Sequence, residues 1–100
     1  MLKDDFVIQT NVRRMLIRSN IDFSQLTFGT VRGVVYIQGT FRLTGLFPGE
    51  SIQETEEIVS RTIRSLELKI KSISGVIDVK FQLFNWKKEK GQWVPKKIAE

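Results

Sequence analysis

The sequence predicts an α+β domain in the order α-β-β-α-β, with two helices packed on one face of a small three-stranded, largely antiparallel sheet. Three observations lead there. Residues 4–19 and 51–73 carry apolar side chains at helical spacing, and residues 26–42 and 76–86 alternate apolar and polar in period two. Gly33, Gly39 and Gly75 fall where these patterns turn, break or stop.

In residues 4–19, DDFVIQTNVRRMLIRS, Ile8, Val12, Met15 and Leu16 share one helical face. Asp4 and Asp5 stand at the positive end of the helix dipole and Arg18 near its negative end. Asn20 and Asp22 end the helix.

Residues 26–31, LTFGTV, and 34–42, VVYIQGTFR, read as two strands joined at Arg32-Gly33, where Gly33 supplies the positive φ of a tight hairpin. Val35, Ile37, Gly39 and Phe41 fall on one face, with Tyr36, Gln38 and Thr40 on the other. Gly39 therefore faces the core without a side chain, which predicts a helix lying close to the sheet at that point.

Residues 43–50, LTGLFPGE, form a loop, and Ser51 and Glu54 have the spacing of a capping box. Val59, Ile63, Leu66, Ile70 and Ile73 then form a continuous stripe. Glu54, Glu56 and Glu57 lie early and Lys69 and Lys71 late, so the pattern predicts a helix over 51–73 that stops before Gly75.

Residues 76–86, VIDVKFQLFNW, read as the third strand, with Ile77, Val79, Phe81 and Leu83 inward. Phe84 and Trp86 break from that face and need another cover. Either residues 92–94 return as a hairpin strand, with 87–91 as the turn and Trp93 across from Trp86, or a second copy of the chain covers them. The first of these adds a C-terminal hairpin strand to the fold. Residues 1–86 then make one domain, and 87–100 a basic Trp/Lys tail.

The bulk numbers bound the function. One hundred residues, 41% hydrophobic and 27% charged, suit one globular domain. No apolar run approaches the roughly 20 residues that cross a bilayer. The chain has no cysteine and no histidine, which removes disulfides, thiolate nucleophiles, the usual zinc ligands and the commonest proton shuttle near neutral pH. Of the net charge of +5, residues 86–100 carry +3, from five lysines against Glu89 and Glu100. The rest of the chain is only mildly basic. Read as a native start, Met1 followed by Asp4 and Asp5 implies a cytoplasmic protein without a secretory leader. Read as a piece of a longer chain, the same residues fit a periplasmic or envelope-associated protein.

Two stretches resemble a known family. "RGVVYIQGTF" looks like the signature of the BON domain (bacterial osmotic-stress and nodulation domain), a glycine-started strand running through alternating apolar residues to a second glycine. "ISGVIDVKFQL" resembles its second signature, a helix end at glycine-valine followed by a strand. The matching positions are Gly33, Val35, Ile37, Gly39, Phe41, Gly75, Val76, Val79 and Leu83. The stretch from Gly39 to Gly75 is longer than usual for the family, and residues beyond Asn85 have no counterpart in it. No GxxG joins paired helices, which separates the chain from KH-type RNA-binding domains. The resemblance implies a non-catalytic bacterial module that binds phospholipid surfaces or other proteins. The matching residues are structural, so no ligand contact transfers.

Glu54, Glu56 and Glu57 suit a helix start better than a metal or acid–base site. No serine has a base beside it, and Gly29, Gly33 and Gly39 do not lead into a helix as a phosphate loop does. The sequence therefore predicts no enzyme and no cofactor.

The tail residues Trp86, Lys87, Lys88, Lys90, Trp93, Lys96 and Lys97 fit an anionic lipid surface, with indoles at headgroup depth. They fit single-stranded RNA or DNA equally, by stacking, and fit a solubilising tail whose tryptophans cover the core. Leu46 and Phe47 either insert into a membrane or partner pocket, or fold back over the core. Arg13, Arg14, Arg18, Arg61 and Arg64 read as solvated helix faces. The expected partner is a protein or an anionic lipid surface, with nucleic acid as the alternative and self-association open through the sheet edges.

Overall fold

The structure is a computed structural model that describes residues 3–44 and 52–96. Its elements are α1 (Lys3–Arg18), β1 (Ile21–Asp22), a 3-10 turn (Phe23–Gln25), β2 (Leu26–Val31), β3 (Val34–Gly39), β4 (Arg42–Leu43), α2 (Ile52–Lys71), β5 (Asp78–Leu83), β6 (Trp86–Glu89) and β7 (Gln92–Pro95). This is the predicted α-β-β-α-β order with a C-terminal hairpin, plus a two-residue pair, β1–β4, that the sequence did not show.

The central sheet has the order β2-β3-β5. β2 and β3 pair antiparallel through the Arg32-Gly33 turn, whose φ values of 51° and 82° are those of a type I′ hairpin. β3 and β5 pair parallel, Val35 opposite Val79 and Ile37 opposite Phe81. The β1–β4 and β6–β7 pairs are antiparallel. The one parallel pairing follows from α2, which carries the chain back before β5 begins.

Ile8, Val12 and Leu16 of α1 and Val59, Ile63, Leu66 and Ile70 of α2 are buried against Val35, Ile37, Val79 and Leu83 of the sheet. Both helical stripes thus do what their spacing predicts. α2 ends at Lys71, and Ile73 N donates to Ile70 O in a last turn before Gly75, whose φ is +93°. Ser51, half of the expected capping box, lies outside the described residues.

Gly39 corrects the expected reason for its position. It faces the core and has φ +124°, but no helix presses on it. A Cβ there would overlap the Gln25 carbonyl oxygen, and Leu26 Cα would stand 3.2 Å away. The same carbonyl accepts from Thr40 N at 3.1 Å. The close neighbour is backbone, where the 3-10 turn runs into β2 beside the end of β3.

Ile77 also departs from expectation. It precedes β5, is 76% exposed, and donates its N–H to Gly33 O at 2.8 Å. Beyond β5, Phe84 stays 74% exposed while Trp86 is buried. The hairpin forms, but its turn is Lys90-Gly91, with φ of 50° and 80°. That two-residue turn sets Trp93 opposite Lys88 and Trp86 opposite Pro95, so the indoles lie diagonally on one face.

Candidate docking surface

The residues of the two family-like signatures all serve the fold. Gly33 makes the hairpin turn, and Val35, Ile37, Phe41, Val79 and Leu83 are core. Val76 packs at the core's edge and Gly75 ends the turn after α2. Asn85 locks Phe41 in place: Phe41 N donates to Asn85 Oδ1 and Asn85 Nδ2 donates to Phe41 O, both at 2.9 Å.

The C-terminal candidates divide. Trp86 and Trp93 are buried; Trp93 meets Phe81 edge to face at 5.3 Å between ring centres. Its carbonyl accepts from Ser60 Oγ at 2.7 Å, tying β7 to α2. Lys88 is held by Glu67 at 3.1 Å and lies 5.9 Å from the Trp93 ring. Lys96 Nζ donates to Leu83 O at 2.8 Å, so it finishes the edge of β5. Lys87 and Lys90 are exposed, Lys87 with Glu89 at 3.5 Å. Leu46, Phe47 and Lys97 lie outside the described residues. No indole is presented to a ligand here.

The cations that do gather come from the arginine set and from Lys69. The C-terminal end of α1 meets the middle of α2, where Arg18, Ser19, Arg61, Thr62, Ser65 and Lys69 border a depression of about 340 Å³. On α2 itself Arg61, Arg64, Ser65 and Lys69 surround Leu68, which is 59% exposed, along a second hollow of about 300 Å³. Helical spacing explains the grouping, since positions 61, 64, 65 and 68 share one face.

Among the described residues no carboxylate comes within 4.0 Å of Arg18, Arg61, Arg64 or Lys69. Glu57 borders a neighbouring hollow with Arg61 and Arg64 without reaching ion-pair distance. Thr62 Oγ1 is spent on Ile58 O at 2.7 Å, whereas the Ser19 and Ser65 hydroxyls make no hydrogen bond within the described residues. Such a surface attracts anions and can donate hydrogen bonds to them. It offers no general base.

Asp5 has a role that sequence reasoning missed. It stands in the first turn of α1, as expected of a dipole partner, but it is 4% exposed, and its carboxylate accepts from Arg32 N and Gly33 N, both at 2.9 Å. Nothing local in the sequence signals this, because the turn it holds lies beyond β2. Asp22 is held ionised by its own turn. The Ser24 hydroxyl, at 2.7 Å, and then the Ser24 N–H, at 3.0 Å, hold its carboxyl below the usual value.

Comparison with protein-family models, curated proteins and solved structures found no match. Among the described residues no helix is long and apolar enough to cross a membrane.

Proposed function

We propose that the chain is a non-catalytic, BON-like binding module that docks on an anionic phospholipid surface. The observation that carries the reading is the cationic ring around Leu68, with Arg61, Arg64 and Lys69 on α2 and Arg18 beside them, none ion-paired among the described residues. Each cation near an anionic leaflet contributes about 1 kcal/mol, and an exposed leucine adds apolar contact at the headgroup boundary. The sum is a reversible, salt-sensitive attachment.

A nucleic-acid partner is less well supported. Trp86 and Trp93, which stacking on bases requires, are spent in the core, leaving charge alone.

The test is co-sedimentation with vesicles of phosphatidylcholine alone and with 30% phosphatidylglycerol, a composition of about one anionic lipid in three. Binding is expected only to the anionic vesicles and should fade with salt. The pair Arg61→Glu and Arg64→Glu should abolish it while leaving the melting temperature within a few degrees. Equal binding to both vesicles, or none to either, overturns the reading.

A further inference from the structure

Both helices pack on one face of the central sheet, and the alternation of β2, β3 and β5 aims every second residue away from them. The registers set these outward residues in rows across the strands. Val31, Val34 and Asp78 make one row, and Gly29, Tyr36 and Lys80 make the next. Val31 is 58% exposed, Lys80 is exposed, and Val34, Tyr36 and Asp78 are half-buried. Among the described residues this face is open to solvent.

Two features make the rows complementary to each other. A Cβ on Gly29 would meet nothing within 4 Å, so not even the Tyr36 ring roofs that glycine. The second row therefore has an open notch on β2, where the first row carries the valine Val31. On β5 the rows carry opposite charges, Asp78 and Lys80, and neither is ion-paired among the described residues. Asp78 Oδ1 takes the Val79 N–H at 2.8 Å, which fixes the carboxylate at the strand's start.

We infer that this face binds the same face of a second copy of the chain, about a two-fold axis that runs across the strands between the two rows. Such an axis lays each row on the other row of the second copy. Val31 enters the notch over Gly29 of the second copy, Tyr36 lies on its Val34, and Lys80 meets its Asp78. Charge selects this occupant. The two rows are neutral in sum, so a polyanion finds no excess of cations here, whereas a copy turned end for end pairs each lysine with an aspartate. Three strands of six residues cover about 300 Å² in plan, at roughly 4.8 Å between strands and 3.3 Å per residue. A standard interface buries about 800 Å² per partner, so this dimer is weak and reversible. The cationic face of α2 lies beyond the opposite side of the sheet, and the contact does not depend on lipid docking.

Sedimentation equilibrium of the full chain from about 10 µM to about 1 mM should show mass rising from monomer toward dimer. The Gly29, Tyr36 and Lys80 amide resonances should shift in step with it. Lys80→Asp and Asp78→Lys, each with its fold checked by the melting temperature, should each weaken the dimer about tenfold or more, because like charges then face across the axis. A one-to-one mixture of these two variants should regain association, since every aspartate again meets a lysine. Gly29→Leu has room in the monomer and should block association while keeping the melting temperature within a few degrees. A chain that stays monomeric, a dimer whose shifts lie on another face or edge, or a mixture that does not regain association overturns the inference. So do Tyr36 and Lys80 shifts that appear only with phosphatidylglycerol bicelles, since lipid is then the occupant.

Discussion

Asp5 and Gly33 stand 28 residues apart in the chain, and the Gly33 N–H donates to Asp5 Oδ1 at 2.9 Å. With Arg32 N on the other oxygen, one buried carboxylate satisfies two turn amides that no strand partner reaches. The first turn of α1 is thereby docked on the tip of the β2–β3 hairpin, and Ile77 N closes the same turn from the other side.

Asp5→Ala should therefore destabilise the fold by about 2–4 kcal/mol, since one buried and one part-buried N–H lose a charged acceptor. Asp5→Asn should fall between, because its amide can accept with only one end. Denaturant melts of the three proteins check the order. If Asp5→Ala melts like the parent, the carboxylate does not hold the turn.

Glycine substitutions should rank by what their Cβ meets. Gly39→Ala combines φ +124° with overlap on the Gln25 carbonyl and should cost about 3 kcal/mol or more. Gly91→Ala has φ +80° but open space around it, so about 1 kcal/mol is expected. Equal losses in thermal melts would mean that backbone φ alone sets the effect and the Gln25 contact does not matter.

That pair marks how far the sequence could be read. The inward position of Gly39 was legible from period-two alternation, because a strand's faces are a local property. Its neighbour was not, since the chain segment at Gln25 reaches it through the hairpin's register. The C-terminal hairpin was legible from the unplaced Trp86, but its register depended on Lys90 adopting positive φ, which a lysine seldom does. The cationic face was harder still. Arg61, Arg64 and Leu68 share a helix, yet Arg18 joins them only through the packing of α1 on α2. Ile77 shows the converse: its alternation was right and its burial wrong, because the ladder starts one residue later.

Thr30 Oγ1 is buried with no hydrogen-bond partner in the described structure. Valine has nearly the same shape, favours strands, and carries no polar group to desolvate. Thr30→Val should stabilise the domain by about 1 kcal/mol. A loss of stability in chemical denaturation would show that the hydroxyl is satisfied in solution.

Asp22 supplies a pH dependence with a defined sign. Its folded pKa lies below the ordinary carboxylate value, chiefly through the Ser24 hydroxyl. The stability it contributes is present above the unfolded value and is lost as pH falls through the folded one. Ser24→Ala should raise the Asp22 pKa toward 3.8, as read by carboxyl carbon NMR. An unmoved titration would assign the shift to another group.

The last prediction concerns the hairpin of β6 and β7, which adds buried surface as well as charge. Trp93 lies against Phe81, its carbonyl takes the Ser60 hydroxyl, and Lys88 bridges to Glu67 on the rim. Magnitude separates these contributions. Trp93→Ala should cost about 3–5 kcal/mol through lost burial and the cavity left beside Phe81. Lys88→Ala breaks one ion pair, half exposed at Lys88 and mostly buried at Glu67, and should cost about 1 kcal/mol. Deleting residues 88–100 removes Trp93 outright and opens one side of Trp86. The truncated chain should melt well below the full one, with Trp86 emission shifted to the red. Full stability with unshifted emission would mean that the hairpin rests on the core without contributing to it.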